Sequence, residues 1–155
     1  MSPTLRPVLG ELDRETAEAI LRRNHVGRLA FTFRDRVDIE PIHYIYAHEW
    51  LYGRTSAGTK LTTLHHHPWV AFEVDEIESA VEWRSVVIHG TVYFLSPEGS
   101  DREREAYETA VQQLRSLYPD ALTAKDAVPH RNVLFRIHVD DVVGRRSTTQ
   151  ADQSG

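Results

Sequence analysis

Short runs of alternating apolar and polar residues, separated by turn-forming residues, occupy most of this chain. Between Gly27 and Phe33 the larger apolar side chains recur at every second position, which is the period of a half-buried strand. Arg34–Arg36 and Ala47–Glu49 interrupt the pattern as hairpin turns do. Six runs are predicted to be strands: Gly27–Phe33, Val37–Tyr46, Trp50–Arg54, Trp69–Asp75, Trp83–Leu95 and Val133–Val139. So many short strands in 155 residues favour an antiparallel barrel.

Two longer helices are predicted beside the strands. Asp13 is a suitable N-cap for a first helix that ends near Arg23. A second helix carries one apolar stripe and ends at Pro119, because proline cannot continue a helix. That stripe consists of Ala106, Tyr107, Ala110, Val111, Leu114, Leu117 and Tyr118. The fold class is therefore mainly β with α, an antiparallel six-stranded barrel with peripheral helices.

One domain, residues 10–146, is expected. Residues 1–9 contain two prolines and no clear helix or strand pattern, so we expect a flexible N-terminus. Residues 147–155 are polar and have little to bury, so we expect a disordered tail.

Composition excludes several classes of function. The chain has no cysteine, which rules out disulfides, thiolate nucleophiles and cysteine-ligated metals, and is compatible with a cytoplasmic location. No window approaches the roughly 20 apolar residues of a membrane span. The net charge of −5, without a basic patch, argues against nucleic acid. A small molecule is the expected partner.

A turn rich in hydroxyls and cations follows the third predicted strand. Arg54, Thr55, Ser56, Gly58 and Lys60 lie between that strand and a short helix-like stretch. Hydroxyls, backbone N–H groups and a helix N-terminus can surround phosphate oxygens while cations neutralise them. The turn indicates an anion site, with an ordinary solvated turn as the alternative.

The order of elements from Trp50 onward is more specific than any single motif. A strand leads into RTSAGTK, followed by KLTTLHHHP, WVAFEVDE and WRSVVIHGTVYFL. This order resembles the pyridoxamine 5′-phosphate oxidase-like flavin-binding split barrels, and among them the nitroimidazole-reductase-like branch. LDRETAEAILRRNHVGRLAF and VLFRIHVDDVVGRR extend the resemblance over residues 8–146. It implies an FMN-binding split barrel that acts as a homodimer.

The resemblance also implies site residues. Proline cannot donate to a β-ladder, so Pro41 marks an edge, bulge or break in the second strand, with an ordinary edge strand as the alternative. The corresponding strand of the family lies along the isoalloxazine ring, which implies ring-side positions for Pro41, Ile42, His43 and Tyr44. The ribityl phosphate is assigned to Lys60, with Arg54, Thr55 and Ser56 as further contacts.

Other positions are assigned to the ring and to the dimer interface. Trp83 and Ser85 share one face of the fifth strand, where they could cover the ring and hydrogen-bond it, or belong to the core. Arg131 or Arg145 is hypothesised to reach a flavin across the interface. Gly58-Thr59 stands where the oxidases proper have a serine–arginine pair, so pyridoxamine-phosphate oxidation is not expected.

The resulting interpretation is a flavin-dependent oxidoreductase that passes hydride to a nitroaromatic or quinone, with the catalytic residues unknown. The alternatives are a non-enzymatic flavin or haem binder, with His43 as a haem ligand, and a reductase that uses a deazaflavin or FAD. No metal site is expected: His65–His67 would fan out on a helix, and no zinc spacing is present.

Overall fold

Seven strands and two helices make up the computed structural model, which describes residues 5–63 and 68–151. The strands are β1 (Leu5–Leu12), β2 (Val26–Phe33), β3 (Arg36–Ala47), β4 (Trp50–Thr55), β5 (Trp69–Ile77), β6 (Trp83–Phe94) and β7 (Val133–Ala151). The helices are α1 (Arg14–Arg23) and α2 (Asp101–Leu117), and Leu61–Thr63 forms a 3₁₀ turn. The sequence-predicted helix-like stretch at His65–His67 lies outside the described residues.

Six of the strands close into a ring. From β7 the hydrogen-bonded neighbours run through β4, β3, β2 and β5 to β6, which pairs with β7 again. Every pairing is antiparallel. The ring is split where β3 and β4 diverge, because their pairing extends from Ala47 and Trp50 only as far as Tyr44 and Gly53. The predicted six-stranded antiparallel split barrel is thereby confirmed.

Local signals placed the two hairpin turns and the start of α1 correctly. Arg34 and Asp35, and likewise His48 and Glu49, have positive φ angles, as two-residue hairpin turns of the favoured type require. The Asp13 side chain accepts the Thr16 N–H at 2.8 Å at the start of α1. Hydrogen bonds from Thr16, first from its side chain and then from its backbone N–H, lower the pKa of Asp13.

The chain ends differ from the sequence-based expectation. β1 occupies residues 5–12, and β7 continues to residue 151, so much of the expected flexible N-terminus and the first part of the expected disordered tail are paired strands. Their register runs from Leu12 opposite Gly144 to Leu5 opposite Ala151. Backbone groups make this pairing, so polar side chains do not prevent it. Residues 1–4 and 152–155 lie outside the described residues.

Two apolar clusters hold the helices on the barrel. In the first, Ala17, Ile20 and Leu21 of α1 pack against the apolar residues that line the inside of the barrel. In the second, Ala110 and Leu114 of α2 pack on β4 and β7 from outside. The second cluster places the C-terminal end of α2 beside β3, where the candidate site lies. Neither described helix is long and apolar enough to cross a membrane.

Glu76 joins α1 to β5 and β6. Its carboxylate accepts hydrogen bonds from the Arg23 guanidinium at 2.8 and 2.5 Å, from Asn24 Nδ2 at 2.7 Å and from Arg84 Nε at 3.1 Å. Arg23 has the largest effect, and together these donors lower the pKa of Glu76 to about 2. The charged form of Glu76 therefore stabilises the folded state.

Glu76→Gln is expected to reduce the free energy of unfolding at neutral pH by about 1–2 kcal/mol, a value discounted for solvent screening. Since the folded pKa lies below the ordinary value of 4.5, this contribution is complete above pH 4.5 and disappears as the pH falls towards 2. Urea unfolding of both proteins across that range measures the difference. Glu78→Gln is the matched control, because Glu78 is largely exposed. A difference that stayed constant with pH would contradict the assignment.

Candidate functional site

A cleft of about 740 Å³ lies where β3 and β4 diverge. Residues Glu40–His43 of β3 form one side, and Arg54 to Ser56 at the end of β4 form the floor. The other side comes from the end of α2 and the segment that follows it, residues 117–131, called the wall segment below. A volume of this size suits a cofactor or drug-sized molecule.

The edge of β3 that faces the cleft continues beyond the pairing of β3 with β4. The Tyr44 N–H donates to the His25 carbonyl at 2.9 Å, on the β2 side. Hydrogen-bonding direction alternates along an antiparallel strand, so the backbone groups of Pro41 and His43 point away from β2. Beyond Tyr44 no registered partner from β4 meets them. Pro41 thus stands at a position where its missing N–H breaks no ladder bond, which agrees with the predicted edge.

Tyr118 connects the wall segment to β3. It is the C-cap of α2, and Pro119 follows it, as the sequence predicts. The Tyr118 hydroxyl lies 2.9 Å from His43 Nδ1, and the two rings meet edge to face at 5.9 Å. His43 therefore lies on the cleft with a polar partner from the opposite side.

Arg54 and Asp126 form a buried ion pair across the floor of the cleft. Their nitrogen–oxygen contacts measure 2.5 and 3.2 Å, and the side chains are 10% and 3% exposed. Asp126 also accepts the backbone N–H groups of Leu122 at 2.7 Å and Val128 at 3.0 Å. These donors, Arg54 first, hold the pKa of Asp126 far below its usual range. The predicted phosphate ligand Arg54 is thus engaged by the wall segment.

Hydroxyl groups gather where β4 ends. Thr55 Oγ1 and Thr59 Oγ1 are 3.5 Å apart, and Thr59 Oγ1 also lies 3.3 Å from Thr62 Oγ1. Thr55, Ser56 and Thr59 line the cleft. Gly58 has a φ of 81°, and an added Cβ would meet no atom within 4 Å, so the turn there is open. The predicted contacts Thr55 and Ser56 are therefore together at one end of the cleft.

Lys60 lies at the margin of this end. Its Nζ is 2.7 Å from Asp38 Oδ2, its side chain is 58% exposed, and it is not among the residues that line the cleft. The hydrogen bond from Lys60 lowers the pKa of Asp38. Burial and the nearby Asp38 raise the pKa of Glu40, which does line the cleft, while Lys60 opposes that shift. Lys60 thus influences the charge of the cleft from outside it.

Three sequence-predicted contacts lie elsewhere in the chain. Tyr44 is buried, its hydroxyl donates to the Leu21 carbonyl at 2.8 Å, and its ring packs on Phe72. Burial raises the pKa of Tyr44 far above its usual range. Trp83 and Ser85 lie on β6, paired with β5 and β7, and are not among the cleft-lining residues. One chain therefore brings Pro41, Ile42, His43, Arg54, Thr55 and Ser56 to one cleft, without these three residues.

The wall segment supplies basic side chains that the sequence motifs did not assign to this side of the cleft. Lys125, His130 and Arg131 all line the cleft, and Arg131 faces the cleft of its own chain. Arg145 lies on β7, opposite Ser85. The signal in the sequence is modest: three basic residues in seven positions shortly after Pro119. Among the described residues, no group of three or more acidic or histidine side chains is arranged to hold a metal.

Comparisons with known proteins show the family and the fold. The family model for pyridoxamine 5′-phosphate oxidase matches residues 13–146. An uncharacterized protein of Rhizobium meliloti is 25% identical over 142 residues, which cover 86% of this chain and 92% of that protein.

Solved structures show the same fold. An FAD-binding protein from Mesorhizobium loti has 26% identity and a TM-score of 0.70, covering 91% of this chain and 99% of its own. A candidate 5-nitroimidazole antibiotic resistance protein from Bacteroides thetaiotaomicron has 15% identity and a TM-score of 0.65, covering 99% and 98%. With a family model that spans most of its length, this chain belongs to the pyridoxamine 5′-phosphate oxidase family.

Proposed function

We propose that this protein binds a flavin in the cleft between β3 and the wall segment. The observation that carries the proposal is the part of β3 beyond its pairing with β4, where Pro41 and His43 line a cleft of about 740 Å³. Free N–H and C=O groups on a strand edge can pair with the polar edge of a planar ring. The Mesorhizobium loti relative, which is described as FAD-binding, supports the same ligand class.

The donor set of the cleft fits a phosphorylated ligand. Ser56 and Thr55 offer hydroxyls at one end, and Lys125 and Arg131 add cations from the wall segment. Charge-assisted hydrogen bonds from such groups hold phosphate oxygens. Lys60 remains a proposed phosphate contact, and it would have to exchange its Asp38 partner for the ligand. FMN is the cofactor proposed first, with FAD as the alternative.

The proposed activity is that of an oxidoreductase. A bound flavin supplies hydride transfer to a small electrophile such as a nitroaromatic or a quinone. The residues of this chain would bind and orient the ring, and the buried Arg54–Asp126 pair holds the wall segment against β4. His43 and Tyr118 lie together on the cleft with exchangeable protons. We also propose a cytoplasmic location, for which the cysteine-free sequence is the support.

A homodimer is proposed as the functional unit. The outer face of β2, β3 and β5 exposes Val26 (48%), Val37 (79%), Ile39 (62%) and Trp69 (59%). Exposed apolar side chains on one face of a sheet support an interaction surface, and a second copy fits it by two-fold symmetry. In such a dimer, Trp83 and Ser85 would line a cleft that is formed together with the partner subunit. Multi-angle light scattering should give a mass twice that of the chain, and a monomer that binds flavin tightly would contradict this arrangement.

The first test is binding. Titration of the purified protein with FMN is expected to give a stoichiometric complex with shifted flavin absorbance bands. FAD and haem are titrated in parallel, and a Soret band with haem but no response to flavins would support haem binding instead. No response to FMN or FAD would overturn flavin binding and would direct attention to a deazaflavin.

The second test is turnover. With the flavin reduced under anaerobic conditions, addition of a nitroaromatic or quinone is expected to restore the oxidised absorbance. Pyridoxamine phosphate in air is expected to yield no pyridoxal phosphate, because Gly58-Thr59 leaves the turn without the extra cation of the oxidases. Steady pyridoxal-phosphate formation would contradict this expectation. If the protein binds flavin but neither the nitroaromatic nor the quinone reoxidises it, a flavin carrier or sensor is favoured.

A further inference from the structure

The Arg54–Asp126 pair differs from the other described ion pairs in its burial. Arg54 is 10% exposed and Asp126 3%, whereas the arginines that pair with Glu76 and Glu73 are 38–51% exposed. A buried pair costs desolvation unless hydrogen bonds satisfy both groups, so its geometry matters more than that of a surface pair. The pair joins residues 72 positions apart in the chain.

Each carboxylate oxygen of Asp126 accepts two hydrogen bonds. Oδ2 accepts from Arg54 Nη1 and from the Leu122 N–H, and Oδ1 accepts from Arg54 Nη2 and from the Val128 N–H. The Asp126 carboxylate therefore connects both ends of residues 122–128 of the wall segment and also binds this part to Arg54 of β4. Leu122 has a φ of 61°, a conformation that a leucine adopts at a cost, and its N–H bond to Asp126 helps to hold it.

We propose that Asp126 is a positioning residue for the cleft. It acts through Arg54 and through two backbone N–H groups, and it sets where the wall segment presents Lys125, His130 and Arg131 to a ligand. Arg54 in turn serves as the anchor of this segment and not as a free anion ligand. The inference rests on the proposed flavin-binding function and assigns these two residues a role within it.

Asp126→Asn is the main test, because an amide presents N–H donors where the site needs two accepting oxygens. In the flavin-free protein, hydrogen exchange at the Leu122 and Val128 amides is expected to accelerate at least about tenfold. FMN affinity is expected to fall by about tenfold or more, with a changed visible circular dichroism of the bound flavin. Arg54→Lys keeps the cation but loses the two-nitrogen contact, so an intermediate effect on exchange and on FMN affinity is expected. This variant provides the same test if Asp126→Asn does not fold.

Glu76→Gln is the matched control, since Glu76 is also bound by an arginine through two nitrogens but does not line the cleft. It should reduce stability and leave FMN affinity and the two amides unchanged. Unchanged exchange in Asp126→Asn, or faster exchange with wild-type affinity and circular dichroism, would overturn the inference alone. A wild-type protein that binds no flavin would overturn the proposed function and the inference with it, and the titration of the wild type distinguishes the two cases.

Discussion

Gly90→Ala is expected to destabilise the protein by about 3 kcal/mol or more and to lower its melting temperature by about 10 °C. Gly90 lies on β6 beside an irregularity in the β6–β7 register, where the ring of strands closes. A Cβ at this position would stand 1.9 Å from the His138 carbonyl oxygen and 3.0 Å from its carbon. Both are backbone atoms of β7, so the neighbour cannot move aside without opening the ladder that closes the barrel.

Gly10→Ala is the matched control for this prediction. A Cβ at Gly10 would lie 3.2 Å from the guanidinium of Arg146, which is the far end of a flexible side chain and can shift. Thermal unfolding followed by circular dichroism should therefore separate the two alanine variants clearly. Equal melting temperatures for Gly90→Ala and the wild type would show that β6 and β7 do not approach as closely as the structure indicates.

Reversing both wall-segment cations, in the double variant Lys125→Glu and Arg131→Glu, is expected to weaken FMN binding about 100-fold. Each cation offers charge-assisted hydrogen bonds worth roughly 1.5–3 kcal/mol when desolvated and less when exposed, as both residues are here. Reversal adds repulsion of the phosphate dianion, and about 2.7 kcal/mol in total gives the stated factor. Fluorescence titration at low and moderate salt measures the loss, and salt should reduce it through screening.

The double variant Arg14→Glu and Arg102→Glu makes the same change in net charge away from the cleft, since neither residue lines it. Its FMN affinity should stay within about threefold of wild type. Equal losses in the two double variants would indicate a general charge effect. If the FMN affinity of the Lys125/Arg131 variant is unchanged, the wall-segment cations do not contact the phosphate, and Lys60 is then the expected phosphate contact.

Several elements could be predicted because their causes lie within a few residues of chain. The strand from Val26 to Phe33 alternates with period two, Asp13 caps the helix three residues before Thr16, and Pro119 closely follows the end of α2. Pro41 also marked a free strand edge correctly, because the missing N–H is a property of the residue itself. The order of the motifs from Trp50 onward was enough to identify the family.

Contacts between residues that are far apart in the chain could not be predicted from the sequence. Arg54 was placed at a phosphate by its neighbours Thr55 and Lys60, but in the folded chain Asp126 occupies its guanidinium from 72 residues away. The wall segment reaches β3 because α2 packs on β4 and β7, and no local pattern encodes that packing. The pairing of β1 with the end of β7 was missed for the same reason, since backbone hydrogen bonds leave little trace in side-chain periodicity. The sequence by itself therefore determined the elements, their order and the family, whereas tertiary packing decided which charged groups meet at the cleft.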